Sequence, residues 1–123
     1  MTPFGDRMRK LRAERGITLK EMADGLGVSS AYLSALEHGK RGRPGWHLIQ
    51  RILSYFNIIW DEAEEVVRLA RISHPRITID TSGLSPKATE LANRLADDIG
   101  RLDDAALEEL LAVLDRKKQR AKG

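Results

Sequence analysis

The side chains with chemistry to offer in this chain are cations and hydroxyls. Lys40, Arg41 and Arg43 fall within His38-Gly39-Lys40-Arg41-Gly42-Arg43-Pro44-Gly45, where three glycines and a proline dictate a loop. Clustered cations displace counterions from a nucleic-acid backbone, giving sequence-independent affinity that falls steeply with salt. A solvated basic loop with no partner has the same composition, so position decides between the two. This loop directly follows a segment with Ser29, Ser30 and Ser34 among small residues, which places it beside a face that fits a groove. Other chemistries find no support. The chain has no cysteine, which excludes disulfides, thiolate nucleophiles and cysteine-ligated metals. His38, His47 and His74 are dispersed, and no serine has a base arranged near it. Asp61, Glu62, Glu64 and Glu65 lack histidine partners at ligand spacing and fit the positive end of a helix dipole instead. No catalytic residue, metal site or cofactor is expected, and the chain does not read as an enzyme.

The element that must position these groups is Thr18–Glu37, TLKEMADGLGVSSAYLSALE, which reads as two short helices joined by a tight turn. Thr18 caps the first, with Glu21 three residues on completing a capping box. Leu19, Met22, Ala23 and Leu26 supply its apolar stripe. Gly25 and Gly27 bracket Leu26, where positive φ is expected. Ser29 caps the second helix, whose inward residues are Leu33 and Leu36, with Val28 sealing the turn. Ser30, Ala31, Ser34 and Ala35 are left outside, a small polar face that could approach DNA closely. A helical hairpin in an ordinary bundle would show the same periodicity.

The rest of the chain supports this hairpin. At 123 residues, 41% hydrophobic and 32% charged, it suits one domain, or a small one with an appendage. Met1–Pro3 is expected to be loose, and Phe4 or Asp6 to Arg15 to form a basic helix with Phe4, Met8 and Leu11 inward. Gly16 ends it, and Ile17 serves as a hydrophobic staple before Thr18. Trp46–Phe56 and Ile58–Ile72 are two further helices, burying Leu48, Ile49, Ile52, Leu53 and Phe56 in one, and Trp60, Ala63, Val66, Val67 and Ala70 in the other. Ser73-His74-Pro75 breaks the pattern, dividing a unit 1–75 from a region 76–123. Ile77-Thr78-Ile79-Asp80 alternates as a short strand would, either pairing with a second copy or serving as a linker. Ser85 and Pro86 start a helix running to Gly100, with Ala88, Leu91, Ala92, Leu95 and Ile99 as its stripe. Asp103 caps a last helix carrying Ala106, Leu107, Leu110, Leu111 and Leu114, followed by a basic tail, Arg116–Lys122. Two such stripes need the N-terminal unit or a second subunit to cover them, and we expect a second subunit. Charge is uneven: residues 1–43 hold nine Lys and Arg against five Asp and Glu, residues 44–76 four of each, and residues 77–123 eight against nine. The basic excess sits with the hairpin. No signal sequence or apolar run of membrane length is present, so a cytoplasmic location is expected.

The order T-x-x-E-x-A-x-x-x-G, V-S, Y-L-S-x-x-E-x-G, then a basic loop and proline, resembles the Cro/lambda-repressor-like helix-turn-helix family, also called XRE-type regulators. The residues carrying the resemblance are Thr18, Glu21, Ala23, Gly27, Val28, Ser29, Tyr32, Leu33, Ser34, Glu37 and Gly39, and it extends over residues 6 to about 72. It implies an all-α, five-helix DNA-binding domain, here followed by a short strand or linker and two C-terminal helices for dimerisation. It also implies that the Ser29–Glu37 helix enters the major groove. Ser29, Ser30, Ser34 and Ala35 then face base edges, and Ala31 offers apolar contact, for instance to a thymine methyl. Tyr32, Lys40, Arg41 and Arg43 match positions that approach phosphates, and Arg12 and Glu37 match a structural ion pair. Leu19 stands where the family often has a DNA-contacting Gln, and it has no donor to replace that contact.

The resulting expectation is a homodimeric regulator, commonly a repressor of its own promoter, that binds an inverted repeat in double-stranded DNA. With no Arg, Asn or Gln on the recognition face, affinity should come largely from phosphates and part of the specificity from groove shape. The alternative is a protein-interaction partner such as an antitoxin, whose C-terminal helices would hold a toxin or other effector. No membrane partner is expected.

Overall fold

The structure, a computed structural model, describes residues 1–122, with side chains through residue 119. Every regular element among them is helical: α1 (Pro3–Arg15), α2 (Leu19–Leu26), α3 (Ser30–Glu37), α4 (Trp46–Phe56), α5 (Trp60–Arg71), α6 (Pro86–Asp98), a 3-10 turn at Ile99–Arg101, and α7 (Asp104–Lys122). Residues 1–77 form one compact unit, and the chain from Thr78 onward forms a second. The Arg120–Lys122 part of the basic tail lies outside the residues whose side chains are described.

Local chemistry sets the helix ends of the first unit. Thr18 Oγ1 accepts from the Glu21 amide at 3.0 Å, and the Glu21 carboxylate accepts from the Thr18 amide at 3.4 Å, so both arms of the capping box are made. Gly27 ends α2 at φ 74°, in the left-handed region, and turns the chain into α3. Gly25, expected to share that turn, lies inside α2 instead. A Cβ there would stand 2.2 Å from Tyr55 Cε1, so its small size serves the packing of α4 on α2. The core is built from one face of each helix: Phe4, Met8 and Leu11; Met22, Ala23 and Leu26; Leu33 and Leu36; Leu48, Ile49, Ile52 and Phe56; Val66 and Ala70. Ile17, Leu19, Val28, Leu53, Ala63 and Val67 pack partly buried against it.

Three expectations for this unit need correction. Met1–Pro3 is not loose, because Thr2 caps α1 by accepting from the Gly5 amide at 3.0 Å. Helix α5 starts at Trp60 and not at Ile58. Trp60 itself points outward, 81% exposed at φ 56°, while Ile58 before it is buried in the core.

In the second unit Asp103 Oδ1 accepts from the Ala106 amide at 2.8 Å and caps α7. Ser85 occupies the cap position of α6, but its hydroxyl makes no capping bond; its carbonyl accepts from the Ala88 amide at 3.0 Å. The α6 helix stops at Asp98, one 3-10 turn short of the expected run. Ile77–Asp80 forms no strand, and no strand that could pair with it occurs among the described residues; Asp80 Oδ1 accepts from the Ser82 amide at 2.9 Å in a turn. None of the described side chains from Thr78 onward is fully buried. Leu91 on α6, Ile99 in the 3-10 turn, and Leu111 and Leu114 on α7 remain exposed.

Candidate nucleic-acid interface

Helix α3 is only eight residues long, too short to persist in water on its own. Its hold on the unit comes first from Leu33 and Leu36, both fully buried. Each contributes about 1.5–3 kcal/mol by leaving water. Ser29 Oγ accepts from the Tyr32 amide at 3.1 Å and satisfies one orphan donor of the first turn. With Leu33 and Leu36 inward, Ser29, Ala31 and Tyr32 are exposed, and Ser30, Ser34 and Ala35 are half-buried along the same outer side. That side carries no bulky group apart from Tyr32, so another surface can approach the helix backbone closely.

The C-terminal end of α3 is clasped by α1. Glu37 and Arg12 form a two-armed ion pair, Arg12 Nη2 donating to Glu37 Oε1 at 2.9 Å and Nη1 to Oε2. The two side chains are only 10% and 2% exposed. Arg12 Nη1 also lies 3.3 Å from Met22 Sδ, so the guanidinium ties α1, α2 and α3 together. The Glu37 carbonyl accepts from the Thr2 amide at 3.0 Å and from the Thr2 hydroxyl at 3.2 Å. Gly5 permits this approach: a Cβ there would sit 2.1 Å from that same carbonyl oxygen. Ser73, at the far end of the unit, accepts from the Phe4 amide at 2.9 Å and donates to the Leu69 carbonyl, fixing the start of α1. Thr2, Gly5 and Ser73 escaped the sequence reading. Thr2-Pro3 carried a usable signal, a capping hydroxyl before proline, whereas nothing local announces Ser73.

The basic loop leaves α3 without a break. His38 closes the helix with Nδ1 2.8 Å from the Ser34 carbonyl, and the Lys40 amide donates to the Ala35 carbonyl at 2.8 Å. Lys40 and Arg41 are exposed and follow α3 directly in the chain. Arg43 is exposed too, but its Nη1 donates to the Arg71 carbonyl at 3.4 Å, drawing it towards the C-terminal end of α5. Pro44 is buried and anchors the loop. Arg51, another residue outside the sequence expectations, donates to the Leu26 carbonyl at 2.8 Å and ties α4 to the turn. The arrangement is a short helix with a small outer face, rigidly backed and continued by cations. This geometry suits a major groove, into which a helix-turn-helix places its second helix.

Residues 3–65, half of the chain, match the family model of the helix-turn-helix domain. The chain belongs to the helix-turn-helix family of XRE-type regulators. Two curated proteins of Bacillus subtilis (strain 168) are similar to it over 61 residues. One is the uncharacterized HTH-type transcriptional regulator RghRB, 36% identical, with the match covering 50% of this chain and 44% of that protein. The other is the HTH-type transcriptional repressor RghR, 38% identical, with 50% and 45% covered. The chain thus spans less than half the length of these relatives in the matched region. A solved complex of the SinR and SinI proteins aligns over 98% of this chain and 99% of that one, at 22% identity and a TM-score of 0.43.

Proposed function

We propose that this protein is a sequence-specific transcription regulator, acting as a repressor that binds an inverted-repeat operator as a homodimer. The observation that carries the reading is the α3 outer side, small and open, clasped rigidly at Glu37 and continued by Lys40 and Arg41. In this reading Ser29, Ser30, Ser34 and Ala35 face base edges and Ala31 meets a thymine methyl. Tyr32, Lys40, Arg41 and Arg43 reach phosphates, with Arg43 leaving its Arg71 carbonyl or sharing its remaining donors. One such module binds weakly, and two-fold pairing sets two recognition helices about 34 Å apart on successive major grooves. The second unit supplies the pairing surface, because its exposed Leu91, Ile99, Leu111 and Leu114 are stripes that one chain leaves uncovered. The same exposed stripes favour a second reading, in which they hold a protein effector or toxin.

The test is selection from a random duplex pool, followed by affinity at several salt concentrations for the winner and a scrambled control. We expect an inverted repeat bound at least about a thousandfold better than the control. Three cations per protomer, six per dimer, set a salt slope of about −5. Tyr32→Ala should weaken both DNAs alike, whereas Ser34→Glu should abolish binding to the winner by placing a carboxylate against the bases. Absence of any selected sequence would refute the operator assignment.

A further inference from the structure

The sequence motifs place every phosphate contact on α3 and the loop that follows, yet the fold brings a second basic segment against that loop. His74, Pro75 and Arg76, the exit from α5, lie with Gly39, Lys40 and Gly42 around an open notch of about 400 Å³. The two segments are packed together closely. Gly39, at φ 77°, approaches Pro75 so nearly that a Cβ on it would meet Pro75 Cβ at 3.3 Å and Thr2 Cγ2 at 3.0 Å. Lys40 therefore departs from a backbone held between the chain's N-terminal cap and the end of α5.

The notch lining contains two permanent cations and a histidine, and no acid. His74 Nδ1 accepts from the Arg76 amide at 3.1 Å, which puts a ring N–H on Nε2 as an available donor. Lys40 and Arg76 are both exposed, so neither charge is spent on the interior. Two cations and an N–H donor about one concave site suit an anion such as a backbone phosphate and not an apolar group. The notch adjoins the C-terminal end of α3, through Gly39 and Lys40.

We infer that this notch is a binding site for a DNA backbone phosphate next to the one Lys40 holds, with Arg76 supplying charge and His74 Nε2 a hydrogen bond. The inference rests on the regulator reading and deepens it. Arg76 joins the contact set as a fourth cation per protomer, some thirty-five residues beyond the recognition loop. The salt slope of a dimer then steepens from about −5 to about −7. Between 50 and 200 mM salt, each lost phosphate contact removes about a threefold share of the salt sensitivity.

The experiment compares full-length wild type, Arg76→Ala, Arg76→Lys, Lys40→Ala and the Lys40→Ala/Arg76→Ala pair on the selected duplex and its scrambled control. Arg76→Ala should weaken both DNAs alike and make the slope shallower by about two for the dimer, while Arg76→Lys keeps the wild-type slope. The double variant should lose about the sum of the single losses, because the two side chains hold neighbouring phosphates. Phosphate ethylation should find one position per half-site that blocks wild type and no longer matters to Arg76→Ala. An unchanged slope in Arg76→Ala on a duplex that wild type still selects would overturn the notch and leave the operator reading intact. A wild type without preference for any duplex would overturn both.

Discussion

Removing the Glu37 carboxylate should cost the N-terminal unit much of its stability, because it strands a buried guanidinium. In Glu37→Ala, Arg12 keeps a side chain that is 10% exposed and loses both carboxylate bonds. Only the weak acceptor Met22 Sδ, 3.3 Å away, remains beside it. Breaking one side of a buried pair costs about 3–5 kcal/mol. A 77-residue unit has about 4–12 kcal/mol in total at 0.05–0.15 kcal/mol per residue, so the loss is between a quarter and all of it. At about 4–8 °C per kcal/mol, the melting temperature should fall by at least about 12 °C. Trp46 and Trp60 both lie in this unit, so tryptophan fluorescence during urea unfolding reports it alone. The paired replacement Arg12→Met/Glu37→Leu removes both charges and should recover most of the loss, since apolar packing can replace a buried ion pair at little cost. A Glu37→Ala loss under about 1 kcal/mol, or a double variant as unstable as the single one, would refute the clasp as an energetic device.

Four further outcomes follow from the same geometry. Ser73→Ala leaves the buried Phe4 amide without its acceptor and should lower stability by about 1–3 kcal/mol in urea unfolding. Gly5→Ala sets a methyl 2.1 Å from the rigid Glu37 carbonyl and should cost at least about 2–3 kcal/mol, whereas Gly25→Ala meets only the Tyr55 ring and should cost less; equal losses would contradict this ranking. A chain ending at residue 77 should sediment as a monomer and the full chain as a dimer, and equal oligomeric states would remove the second unit from the pairing surface. The Ser82 hydroxyl and then its amide hold the Asp80 carboxyl below its ordinary 3.8. The turn is therefore supported above that value and loosens as pH falls through the lowered pKa, and in an NMR titration Ser82→Ala should return Asp80 towards 3.8.

The helices and the caps at Thr18, Ser29 and Asp103 were legible because they depend on neighbours within four residues. Thr18 with Glu21, Ser29 before Tyr32, and the left-handed Gly27 are decided by backbone donors and sterics inside one turn of chain. The apolar spacing of Met22, Ala23, Leu26, Leu33 and Leu36 likewise marks which faces turn inward, since 3.6 residues per turn fixes the geometry. The polar outer face of α3 and the cations after it were therefore visible in the sequence as a candidate groove-binding edge.

What only the tertiary structure decided are contacts between segments remote along the chain. Thr2 and Gly5 meet Glu37, Ser73 holds Phe4, Gly25 admits Tyr55, and Pro75 closes on Gly39; none of these pairs has a local signature. Trp60 shows the same limit from the other side. Its spacing suits a buried face, yet it stands exposed while Ile58, two residues before it, is the one buried in the core. Periodicity along a chain describes a direction around one helix, whereas burial depends on which surfaces arrive opposite, and that information is carried jointly by the whole folded unit.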